Sequence, residues 1–97
     1  MTVDDQAIVQ EQLRQALDAF QKLQTLVLDA HRRLKGLPPA QVEAFWNGQG
    51  RRIDATLRSS AMQVEAAFKA FSATGQVASA KDRHLVTEAR RYLAEGP

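Results

Sequence analysis

The sequence predicts an all-α protein, an antiparallel helix–turn–helix hairpin that dimerises into a four-helix bundle. Three observations carry that expectation. Apolar residues recur at helical spacing along two long stretches. The five glycines and three prolines gather mostly around residues 36–50 and at the end, leaving long runs free of strong breakers. The apolar stripe of the first stretch is wider than one neighbouring helix needs.

The first helix is expected over about residues 4–35. Val9, Leu13, Ala16, Phe20, Leu23, Val27, Ala30, Leu34 and Leu37 step alternately by four and three, a heptad seam. Leu17, Ala19 and Leu26 flank that seam and widen it. Gly36 and Pro38-Pro39 end it, because glycine suits the position just past a helix and proline cannot continue the ladder. The bend spans 36–50 and holds a short helical piece from Pro39 to Trp46, with Val42, Phe45 and Trp46 on one face. Asn47-Gly48-Gln49-Gly50 reads as a turn.

A second long helix is expected over about 51–78, on the seam Ile53, Leu57, Ala61, Val64, Phe68, Phe71, Gly75 and Ala78. Ser72-Ala73-Thr74-Gly75 is a weak spot within it. Ser79-Ala80-Lys81-Asp82 has capping-box spacing, so a helical tail restarts there and runs to about 94. Leu85, Val86, Ala89, Tyr92 and Leu93 form its apolar stripe, and Gly96-Pro97 is a frayed end. A lone hairpin has one helix–helix interface and leaves apolar surface uncovered. Dimerisation answers that problem, as small chains commonly do. The expected dimer seam is Leu13, Phe20, Leu23, Val27, Leu57, Val64, Phe68 and Phe71.

Composition removes several classes of function. The chain is 44% apolar and 25% charged, which suits a folded domain. It has no cysteine, so there is no disulfide scaffold, thiolate metal site or thiol nucleophile. No apolar run is long enough to span a membrane. The start, Met1-Thr2-Val3-Asp4-Asp5, has neither the basic nor the apolar region of a secretory signal peptide. Net charge is +2. Residues 1–30 are net acidic, whereas Arg32, Arg33, Lys35, Arg51, Arg52 and Arg58 make 31–60 net basic.

No catalytic, cofactor-binding or metal-binding constellation is visible. His84 and Glu88 have i,i+4 spacing, but two ligands are too few for a closed structural metal site. Gly48-Gln49-Gly50-Arg51-Arg52 lacks the Gly-Lys-Ser/Thr ending of a phosphate loop and any preceding strand. Arg32, Arg33, Lys35, Arg51 and Arg52 meet at the bend, where they solvate the end or face an acidic partner. Only Phe45 and Trp46 accompany them, which is poor equipment for a nucleic-acid reader.

Trp46-Asn47-Gly48, placed midway between two heptad-patterned helices in a chain of about 100 residues without cysteine, resembles the WXG-100 family. These are ESAT-like small proteins exported by type VII secretion systems. The run Phe45-Trp46-Asn47-Gly48-Gln49-Gly50, then Ile53, Leu57, Ala61 and Phe68, is similar to the family's second-helix opening. The resemblance implies a turn motif of Trp46 and Gly48 and pairing with a copy or, preferentially, a second small W-x-G protein. It also implies recognition by the secretion-system ATPase and export from the cytoplasm without a cleavable signal peptide. The family's export signal, Tyr-x-x-x-Asp/Glu, is incomplete: Ala78 stands where a tyrosine would precede Asp82. Tyr92 and Glu95, three apart rather than four, offer a degenerate version. The expected function is therefore a non-enzymatic secreted interaction protein, a type VII substrate or co-secretion partner without cofactor or small-molecule substrate. The alternative is a helical adaptor or regulator that binds nucleic acid or an acidic partner through its basic bend.

Overall fold

A computed structural model describes residues 3–96, with side chains from Asp5 onward. Met1, Thr2 and Pro97, on which the leader and frayed-end expectations partly rest, lie outside the described residues. The fold is all-α, as expected: α1 (Val3–Leu34), α2 (Pro39–Asn47), α3 (Gln49–Ala73) and α4 (Ala80–Glu95). The molecule is a rod of 56 × 20 × 19 Å. Most of its length is α1, whose 32 residues rise about 48 Å.

The breaks between helices follow local chemistry. Gly36 takes φ +87°, and the Leu37 amide donates back to the Leu34 carbonyl at 3.1 Å, closing α1. Pro39 opens α2 at a position where no amide hydrogen is needed. Between α2 and α3 only Gly48 is non-helical, with its amide shared between the Ala44 and Phe45 carbonyls at 3.2 Å each. The expected four-residue turn at Asn47–Gly50 is thus a one-residue kink, and α3 begins at Gln49 rather than Arg51.

The second long helix stops at Ala73, not near residue 78. Thr74 turns its hydroxyl onto the Phe71 carbonyl at 2.6 Å, and Gly75 takes φ +82°. The helical seam extended through Gly75 and Ala78 therefore does not continue as helix. The restart at Ser79 is found: its hydroxyl accepts from the Asp82 amide at 3.2 Å, and α4 begins at Ala80.

α1 and α3 lie side by side in opposite directions. Gln76, just past α3, donates to the Gln6 carbonyl near the start of α1, while Leu34 and Gln49 border one cavity at the other end. α4 then folds back along both. Leu85, Val86 and Ala89 enter one core with Leu13, Leu17 and Phe20 of α1 and Leu57, Ala61, Val64 and Phe71 of α3. Polar clasps bind its outer edge. Arg90 pairs with Glu65 at 2.6 Å, Gln24 donates to Glu88 at 2.7 Å, and the Tyr92 hydroxyl donates to Asp54. The inference of dimerisation assumed a hairpin without internal cover. That premise is corrected here, because the last amphipathic stripe covers one side of the α1–α3 pair within the same chain.

Candidate functional site

The expected dimer-seam residues belong to the core that α4 closes, and Leu23 among them also borders the other side of the α1–α3 pair. Leu13, Phe20, Leu57, Val64 and Phe71 are buried, Phe20 and Val64 completely. Leu23, Val27 and Phe68 are partly buried against the same core, with the Arg90 guanidinium 5.3 Å from the Phe68 ring centroid. These side chains hold the chain itself together.

Along the opposite side of the α1–α3 pair no described helix closes the space, and only Phe45 of α2 borders it, at the bend end. Three hollows run along it in series. The widest, at the bend end, encloses about 570 Å³ and is bordered by Leu23, Leu26, Leu34, Leu37, Phe45 and Ile53, with Arg33, Arg52 and Asp29 among them. Leu26 is 58% exposed and Leu37 43%. The next hollow, about 420 Å³, shares Leu23 and Thr56 with the first and adds Ala19, Ala55, Ser59, Ser60 and Gln63. The third, also about 420 Å³, continues through Ala16, Ala66, Ala67 and Ala70. Small side chains make this a groove that another helix can approach closely. Ser60 stands in it with its hydroxyl buried and without a hydrogen-bond partner, although the residue is only 6% exposed. A buried hydroxyl without a partner is costly and normally finds one.

The Trp46 turn forms the end of the rod. Trp46 is half-buried, edge-on to Phe45 at 5.0 Å and tilted against His31 at 4.8 Å. Its ring lies across α3 at Gly50: a methyl group built there would come within 2.4 Å of Trp46 Cε3. Gly48 has no such constraint, since its φ is −102° and a methyl group would meet only backbone oxygens at ordinary distance. The glycine that the tryptophan requires is therefore Gly50, not the Gly48 of the W-x-G triplet. A cavity of about 440 Å³ opens beside the indole, bordered by Val27, His31, Gly50, Arg51, Ile53, Asp54 and Tyr92.

Tyr92 and Glu95, expected as a degenerate signal, diverge in environment. Glu95 is exposed. Tyr92 is half-buried, and its hydroxyl donates to Asp54 Oδ1 while Arg58 donates to Oδ2 at 3.1 Å. Burial first, and then the Asp54 carboxylate, push the Tyr92 phenol up to about 12. The same hydrogen bond, more than the Arg58 guanidinium, holds Asp54 below the usual carboxylate range. The tyrosine thus ties α4 to α3.

The basic cluster is exposed throughout. Arg32 reaches Asp29 at 3.8 Å. Arg33, Lys35, Arg51 and Arg52 make no ion pair with another described residue. Arg33 and Arg52 border the wide hollow on one side of the bend, and Arg51 borders the tryptophan cavity on the other. His84 Nε2 lies 2.9 Å from Glu88, whose other oxygen accepts from Gln24. Among the described residues no group of three or more His, Cys, Asp or Glu is placed to hold a metal ion. No described helix is long and apolar enough to cross a membrane.

Sequence reasoning missed Asp54, Gly50 and Ser60. Asp54 carried a visible signal in its i,i+4 spacing to Arg58, but its contact with Tyr92 spans 38 residues. Gly50 was legible only as a glycine beside a tryptophan. Comparison with family models, with curated proteins and with solved structures gives no match.

Proposed function

We propose that this chain is a non-enzymatic interaction subunit of ESAT-like type that pairs with a second helical hairpin through the α1–α3 face opposite α4. The carrying observation is the groove itself. It is continuous, lined by alanines and short polar side chains, open along the rod, and contains the unpartnered Ser60 hydroxyl. Groove against groove gives a four-helix contact layer, with each α4 on an outer face.

The partner is a copy of this chain or a sister W-x-G protein. The W-x-G resemblance adds the proposal of type VII export, with the chain leaving the cytoplasm folded and recognised by the secretion ATPase. Because Tyr92 is committed to Asp54, the sister protein supplies the complete export signal. The test is expression in a secreting strain with and without a second small W-x-G gene. Export is expected only with the sister chain, and export of the lone chain lost on Tyr92→Ala would overturn the division of labour. The unpaired Arg33, Lys35, Arg51 and Arg52 favour one second reading, an adaptor for an acidic partner. Retention on an acidic matrix that falls steeply with salt would support it.

A further inference from the structure

We propose that the cavity between Trp46 and Tyr92 is a binding site for an aromatic ring that carries a carboxylate. The cavity lies at the bend end on the same side as α4 and shares only Ile53 with the pairing groove, so the site does not depend on pairing. Its walls are set before any ligand arrives. The Trp46 ring packs against Gly50, where an added methyl group would come within 2.4 Å of Cε3, and His31 packs on the indole at 4.8 Å. Tyr92 is fixed through its hydroxyl to Asp54. Val27 and Ile53 supply apolar surface. A volume of about 440 Å³ admits a single ring with a short polar arm.

The sign of the ligand's charge follows from which groups are already paired. Two aromatic rings beside a carboxylate would ordinarily suit a cation. Here that role is filled by the protein: Arg58 pairs with Asp54 and lies 5.6 Å from the Tyr92 ring centroid. The charged group left without a mate at the cavity is Arg51. Its guanidinium can hold a carboxylate through two parallel hydrogen bonds while the ring occupies the aromatic slot. The same chemistry is presented by a free aryl acid and by a peptide chain ending in an aromatic residue.

Trp46 is the sole tryptophan, so its fluorescence reports the site directly. Phenylacetate is titrated into the full chain, with phenylacetamide and phenethylammonium as neutral and cationic counterparts. An acetylated tripeptide ending in phenylalanine and its carboxyamide form the second arm. Saturable change is expected with the acids, at least about tenfold tighter than with the amides or the amine. Arg51→Gln should erase that preference and leave helicity unchanged. Val27→Phe, which fills the cavity without touching a charge, should weaken every probe. Tighter binding of the tripeptide acid assigns the site to a chain terminus, and tighter binding of phenylacetate assigns it to a free acid. Absence of saturation with both acids up to about 10 mM overturns the proposal. So does equal affinity for the amine, or an acid preference that survives Arg51→Gln. The molar mass of the unliganded chain tests pairing separately, and a monomer can still bind the acids.

Discussion

At the scale of single residues, Tyr92 joins stability to pH. Its folded-state phenol titrates near 12 against an ordinary value of 10. The group is raised, so its contribution is complete below pH 10 and is lost as pH rises towards 12. It is the only tyrosine, and phenolate absorbance should show a single midpoint near 12. Asp54→Asn removes the carboxylate that both accepts the proton and repels the phenolate, and should bring the midpoint down. A midpoint at 10 in the unmodified chain would mean that Tyr92 is not seated on Asp54.

Gly50 and Gly48 offer a second test at this scale. Gly50→Ala must push the Trp46 ring aside, costing about 1–3 kcal/mol and shifting tryptophan emission to the red. Gly48→Ala meets only ordinary contacts and should cost less than about 1 kcal/mol. Chemical denaturation followed by tryptophan fluorescence compares the two. The W-x-G spelling pointed to Gly48 because a triplet encodes adjacency in sequence. The indole instead lies against the residue four positions on, one helical turn away, because the chain re-enters helix at once.

At the scale of elements, α4 is the helix whose placement was least legible. Its stripe and its Ser79 cap could be read from spacing, since both are local. Its docking could not, because the contacts that seat it join Glu65 to Arg90, Asp54 to Tyr92 and Gln24 to Glu88 across distant parts of the chain. The α1 seam was legible as apolar, but periodicity does not say whether a helix of the same chain or of another covers it. Phe20→Asp consequently belongs to folding and not to assembly. A carboxylate at this fully buried position should cost several kcal/mol, on the order of 3–5, and remove cooperative thermal unfolding.

The clasps on α4 also set its acid limit. Asp54 and Glu65 are both held below their ordinary values, Asp54 chiefly by Tyr92 and Glu65 chiefly by Arg90. Depressed carboxylates contribute above their unfolded values and cease to contribute as pH falls through the folded ones. Amide exchange in α4 should therefore accelerate below about pH 4, ahead of α1 and α3. Uniform acceleration in all helices would show that α4 has no separate acid sensitivity.

At the scale of the whole molecule, the rod has two unlike long sides. One is closed by α4 around Phe20, Val64 and Val86. The other is a groove of small side chains ending in exposed leucines and arginines. A heptad seam with flanking Leu17 and Leu26 foretold apolar surface in excess of one contact. It could not foretell that α4 would take the larger residues and leave the alanine side open. That division is what moves the proposed pairing face from the seam to the groove.

Pairing through this groove is tested most directly by light scattering of the purified chain, alone and mixed with the sister W-x-G protein, for the native sequence and for Ala19→Glu/Ala66→Glu. The account predicts a native complex of two chains, against 10.8 kDa for one. The double variant is predicted to be a single chain with unchanged helicity, because both substitutions lie in the groove and neither enters the core. A native chain that stays at the single-chain mass in both samples, or a double variant that still pairs, would contradict it.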